Sequence, residues 1–179
     1  MGTVECNLRE IGGSCFSGCS NLKVFEWPNY LRVINANGFS GCKSLLSSTL
    51  PHTITYLGIS AFKNAFGYLD PNNRYIDIVI PGSIQTIDGE CFYGYRNAAG
   101  GSKKIRTLQF GDSYNPVASY DEIFIRNTFI NSTFVDNVII YTKGENNQSW
   151  SNTEVEGLFG VGDNSRGVAT PENIKIITL

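Results

Sequence analysis

An apolar ladder recurs every 23 residues: Leu8-x-x-Ile11, Leu31-x-x-Ile34 and Ile54-x-x-Leu57, followed in turn by Phe16, Phe39 and Phe62. Pro28 and Pro51 are also 23 apart, so two independent markers share one period. A repeat of this length is one supersecondary unit that cannot bury its own apolar face. Successive units must therefore stack into a solenoid with a shared core. The ladder constrains architecture far more than chemistry.

The third unit keeps the frame to Ala61-Phe62, gains seven residues within 64–74, and resumes as Tyr75-Ile76-Asp77-Ile78-Val79-Ile80-Pro81. The fourth, Ile84-x-x-Ile87 then Cys91-Phe92, gains another seven within 95–104 and resumes as Ile105 to Phe110. Insertions of one size at one point predict loops on one edge of the stack. A degenerate fifth unit follows, in which Phe124 and Phe129 keep the five-residue step and Val135-x-x-Val138-x-Ile140 keeps the strand pattern. The predicted organisation is a repeat array over 1–141 and an irregular C-terminal cap over 142–179, ending in a strand at Ile174-Lys175-Ile176-Ile177.

Alternation at Phe25-x-Trp27, Ile78-x-Ile80, Leu108-x-Phe110 and Val138-x-Ile140 is the period-2 pattern of half-buried strands. Pro28, Pro51 and Pro81 should end such strands, because proline cannot donate to a ladder. Pairs such as Leu31-x-x-Ile34 are expected as short extended or turn segments on the opposite wall. The small-residue-then-Phe step is expected as a tight helical or 3₁₀ turn that drives the ring into an aromatic spine.

Cys15, Gly38, Ala61, Cys91 and Thr128 precede the Phe positions, and Cys19, Cys42, Ala65 and Tyr95 form a second ladder. The cysteines are expected to be small buried hydrophobes. Cys19 and Cys42 fall on adjacent units, about 5 Å apart at strand spacing, within disulfide reach in an oxidising compartment. Cys15 and Cys91 are two units too far apart to pair. No CxxC or Cys/His cluster exists among the five cysteines and one histidine, so neither a zinc site nor any other cofactor is expected.

The 179 residues make one domain with net charge −2 and pI near 5.4. Nucleic acid is a poor partner, because phosphate neutralisation needs clustered cations; the tightest group, Lys103-Lys104-Ile105-Arg106, reads as a solvated edge. No apolar run reaches membrane-spanning length, so no membrane insertion is expected, and the N-terminal residues lack a signal-peptide pattern. No polar cap precedes Leu8, whereas terminal repeats normally need one. That favours an excised fragment, or self-association or docking on a partner through the N-terminal edge.

Aligned, the units give L-x-x-I, small-F-x-G-C-x-x-L, then apolar-x-apolar-P. The best examples are Leu8–Pro28 with Phe16-Ser17-Gly18-Cys19-Ser20-Asn21-Leu22, and Leu31–Pro51 with Phe39-Ser40-Gly41-Cys42-Lys43-Ser44-Leu45. This pattern resembles the BspA-like, or Treponema pallidum type, leucine-rich repeats. The resemblance covers about residues 8–141. It implies a mainly β fold with short helical or 3₁₀ turns: a right-handed leucine-rich-repeat solenoid of about five units with a parallel sheet on one face. It also implies a protein-interaction or adhesion role at a cell surface, in the extracellular space or on a virion, and carries no catalytic residues.

An enzyme is not expected. His52, the only histidine, follows Pro51 in a turn, and no G-x-S-x-G elbow accompanies it. The carboxylate pairs Asp88/Glu90, Asp121/Glu122 and Glu154/Glu156 lack convergent partners. Gly157-Leu158-Phe159-Gly160-Val161-Gly162 has no strand-to-helix context, and Asp70-Pro71-Asn72-Asn73 lacks EF-hand spacing. Asn131-Ser132-Thr133 and Asn147-Gln148-Ser149 match the glycosylation sequon, which matters only in a eukaryotic exported protein.

Function then falls on surfaces. The residues expected to face out from the sheet are Val24, Glu26, Ser47, Thr49, Asp77, Val79, Thr107, Gln109, Asn137 and Ile139. Such a stripe suits a protein or glycan partner, as curved arrays present extended faces. Phe66, Tyr68, Tyr93 and Tyr95 in the insertion loops either supply aromatic contacts or cover the edge of the stack. The other reading is a structural subunit of a larger assembly, a virion or cell-surface component.

Overall fold

The structure is a computed structural model that describes residues 7–66, 75–93, 104–118, 124–125, 135–143, 150–151 and 173–179. These residues form strands β1 (Glu10–Ile11), β2 (Val33–Ile34), β3 (Tyr56–Leu57), β4 (Tyr75–Ile80), β5 (Thr86–Ile87), β6 (Lys104–Phe110), β7 (Phe124–Ile125), β8 (Val135–Thr142) and β9 (Asn173–Thr178). They make two parallel sheets, β1-β2-β3-β5-β7 and β4-β6-β8-β9. The single parallel sheet expected from the resemblance is thus joined by a second, narrow one built from the Leu-x-x-Ile segments.

The 23-residue period becomes strand register. Ile11 pairs with Ile34, and Ile34 with Leu57. The insertions are absorbed between strands, because Leu57 then pairs with Ile87, and Ile78 with Leu108 and Leu108 with Val138. Equivalent apolar side chains therefore superpose along the stack. Ile11, Ile34, Leu57 and Ile87 of the narrow sheet join Ile78, Ile80, Leu108, Phe110, Val138 and Ile140 of the wide one in a single buried core.

Between the sheets runs the aromatic spine. Phe16 stacks on Phe39 at 5.0 Å, Phe39 on Phe62 at 5.5 Å and Phe62 on Phe92 at 5.5 Å, the last two pairs within 7° of parallel. Trp27 meets Phe39 edge-on at 5.2 Å. Offset stacks and edge contacts of this kind are the favoured geometries of the ring quadrupole.

The turns that deliver these rings are not helical, and no helix occurs among the described residues. Every second N–H leaves its own turn for the next repeat: Ser14 donates to Ala36 O, Phe16 to Gly38 O and Gly18 to Ser40 O at 2.7–2.9 Å. The intervening groups close local turns, as in Cys15 N–H to Gly12 O at 3.2 Å. A 3₁₀ segment would keep all its bonds local. The alternation needs left-handed backbone two residues before each Phe, at Ser14, Asn37, Ser60 and Glu90, with φ of 56–59°. Two residues after it, Gly18 and Gly41 take φ of 76° and 74°, a conformation that glycine adopts without steric cost.

The first predicted long strand, Phe25-x-Trp27, does not form. Ser47 Oγ accepts the Phe25 N–H at 3.1 Å in place of a backbone carbonyl, and Ser48 N–H folds back onto Leu46 O at 2.9 Å. The wide sheet therefore begins with the single bridge Thr49↔Val79. At the other side the expected final strand is present, β9 pairing with β8 from Asn137↔Asn173 to Thr142↔Thr178.

Candidate interaction surface

Alternation along β4, β6 and β8 sends Ile78, Ile80, Leu108, Phe110, Val138 and Ile140 inward to full burial. Their neighbours face out. Register then aligns them into two rows across the strands, Asp77–Thr107–Asn137–Asn173 and Thr49–Val79–Gln109–Ile139–Lys175. Seven of the ten expected surface residues are thereby brought together: Thr49, Asp77, Val79, Thr107, Gln109, Asn137 and Ile139.

Val24, Glu26 and Ser47 stay out of these rows because their segments form no ladder. Val24 and Glu26 are exposed, while the Ser47 hydroxyl is spent on Phe25. Three residues of the face were missed from sequence. Asn173 and Lys175 are signalled by the alternation Ile174-Lys175-Ile176. Arg106 has no such signal, since it is the extra residue at a register shift between Ile76/Asp77 and Ile105/Thr107.

The first row is internally bonded. Asp77 accepts from the Arg106 guanidinium, Asn137 Nδ2 donates to Arg106 O at 3.0 Å, and Asn173 Nδ2 donates to Asn137 Oδ1 at 3.3 Å. Hydrogen bonds from Arg106, aided by its charge and by Thr107, hold the Asp77 carboxyl below the usual aspartate range. The second row keeps apolar Val79 and Ile139 on either side of Gln109, whose Nε2 donates to Gly111 O at 2.7 Å. The face combines a fixed polar strip with a strip of half-exposed apolar and amide groups.

The other sequence candidates fall into structural roles. His52 is exposed in a turn. Asp88 accepts a 2.7 Å bond from Tyr56 Oη, which raises the phenol pKa, and Glu90 pairs with Lys63 at 3.2 Å. Lys63 also lies 4.4 Å from the centre of the Tyr93 ring. Phe66 is fully buried and stacks on Phe62 at 4.8 Å, so it covers the spine and offers no contact surface.

Cys42 and Cys91 are buried as expected, but Cys15 and Cys19 are exposed, because no described residue packs over the first repeat. Among the described residues no group of three or more His, Cys, Asp or Glu side chains could hold a metal, and no helix is long and apolar enough to cross a membrane. Tyr68, Asp70–Asn73, Tyr95, Lys103, Asp121, Glu122, Thr128, Phe129, both sequons, Glu154, Glu156 and the 157–162 glycine run lie outside the described residues.

No curated protein and no solved structure matches the chain. A family model, the BspA type Leucine rich repeat region, matches residues 3–99 in six copies, more than half of the 179 residues. The match spans the Phe16, Phe39, Phe62 and Phe92 turns whose stacking builds the core, and the chain belongs to the BspA-type leucine-rich-repeat family.

Proposed function

We propose that the chain is a non-enzymatic interaction module, a right-handed solenoid of about five repeats that binds a protein or glycan partner on its wide-sheet face. The handedness follows from parallel crossovers, which are right-handed in nearly all sheets. The observation that carries the reading is the in-register row Thr49–Val79–Gln109–Ile139–Lys175, an extended strip shared by five segments of the chain. The partner residues are Thr49, Asp77, Val79, Thr107, Gln109, Asn137 and Ile139, with Val24, Glu26 and Ser47 at the margin. Family membership supports the same class of role.

A glycan array and a display library of extracellular protein domains, both probed with the full chain, test the proposal. A ligand held by the wild type and lost in a folded Gln109→Arg/Ile139→Thr variant supports it; a ligand held equally by both contradicts it.

A second reading, a subunit of a larger assembly, is favoured by the exposure of the first repeat among the described residues. Leu8 is 42% exposed and Phe16 and Leu22 half-buried, whereas their equivalents Leu31, Phe39 and Leu45 are fully buried. Light scattering coupled to size-exclusion chromatography distinguishes the two, since a monomer over a wide concentration range argues against self-assembly through that edge.

A further inference from the structure

The second cysteine ladder leaves a stacked pair that no packing argument requires. Cys19 and Cys42 hold equivalent positions in adjacent repeats, each closing the turn after its Phe: Cys19 N–H donates to Phe16 O and Cys42 N–H to Phe39 O, both at 3.1 Å. The Cys42 thiol reaches across the repeat boundary and donates to the same Phe16 O at 3.1 Å. Two legs of 3.1 Å thus meet on one oxygen, and they hold the Cys42 sulfur beside the Cys19 backbone. The flanking rings, Phe16 and Phe39, stack 5.0 Å apart, so the two repeats lie at about strand spacing here, from which a disulfide between equivalent positions can be made.

From this geometry we propose that Cys19 and Cys42 are a redox pair that closes into a disulfide and fastens the first repeat to the second. The two thiols have distinct roles. Cys19 is exposed and meets the oxidant; Cys42 is buried and resolves the intermediate. With hydrogen peroxide, an S–O bond forms on Cys19 as the O–O bond breaks and water leaves. The Cys42 sulfur then attacks the Cys19 sulfur, the S–S bond forms as the S–O bond breaks, and the departing hydroxide takes the Cys42 proton as a second water. Two thiols and one peroxide give one disulfide and two waters.

Burial, then the proximity of Cys19, pushes the Cys42 thiol up to about 11, so closure proceeds faster at alkaline pH, where more of the attacking thiolate is present. Among the described residues, fully buried Cys91 has no such neighbour: one repeat earlier, its equivalent position holds Ala61. The next residue in the ladder after Cys42 is buried Ala65, so Cys42→Ala places in the second repeat what the third already contains.

The full chain is treated with hydrogen peroxide, alkylated with iodoacetamide, digested and analysed by mass spectrometry, and its thermal unfolding is followed with and without dithiothreitol. The expected result is a dominant Cys19–Cys42 linked peptide and a dithiothreitol-reversible rise in melting temperature, both lost in Cys19→Ser and in Cys42→Ala. A dominant Cys15–Cys19 linkage, an intermolecular linkage, or both thiols remaining open to alkylation after oxidation would overturn the proposal. Should Cys42→Ala fold poorly, exposed Cys19→Ser alone decides it, since retention of the melting shift in that variant refutes the pair.

Discussion

Arg106, the residue that β6 gains at its register shift, turns its guanidinium onto Asp77 of the neighbouring strand, Nε donating to Oδ1 at 2.9 Å and Nη2 to Oδ2. The bulge supplies the reach, because a regular ladder would leave no extra side chain on this side of the strand. The pair fixes one end of the polar row on the proposed binding face.

The Asp77 carboxyl is lowered mainly by these hydrogen bonds. A carboxyl whose pKa falls on folding adds stability above its unfolded value, about 3.9, and that stability is lost as pH falls through the folded value. With side chains 59% and 40% exposed, the pair is screened by salt and adds little. Arg106→Gln is expected to return the Asp77 titration midpoint toward about 3.9 in carbon-detected NMR, with melting at pH 7 nearly unchanged. An unmoved midpoint would show that the pair does not form in solution.

The aromatic spine predicts a gradient of cost. Phe39 is fully buried between Phe16 and Phe62, so Phe39→Ala should destabilise by about 3–5 kcal/mol. Phe16 is only half-buried, and Phe16→Ala should cost clearly less. Urea unfolding of both variants checks the order, which equal costs would contradict.

Two glycines make a sharper comparison. A Cβ on Gly58 would lie 2.6 Å from Ala36 N, while one on Gly12 would meet nothing within 4 Å. Backbone cannot give way as a side-chain tip can. Gly58→Ala should therefore destabilise by about 1–3 kcal/mol and Gly12→Ala hardly at all, as read by thermal unfolding.

The architecture was largely legible because a repeat amplifies weak signals. Phe16, Phe39, Phe62 and Phe92 announced the spine, and the alternation in 76–80, 108–110 and 138–140 announced the wide sheet with its inward and outward residues. What could not be read depends on hydrogen bonds without a residue signature. The left-handed positions are held by Ser14, Asn37, Ser60 and Glu90, no single side-chain type and no glycine, so the pattern carries no sign of a left-handed turn. Ser47 capturing the Phe25 N–H erased a strand that the Phe-x-Trp pattern predicts. The bulge that exposes Arg106 leaves the periodicity of Leu108-x-Phe110 intact and was invisible for that reason.

The most direct test of the binding face is the affinity of a ligand taken from the glycan or protein screen for two folded double variants, measured by biolayer interferometry. Gln109→Arg/Ile139→Thr alters the wide-sheet row, while His52→Ala/Ile59→Thr alters exposed turn positions on another part of the stack. The account predicts that the first variant loses binding and the second retains wild-type affinity. Loss confined to the second, with the sheet variant unaffected, would contradict it.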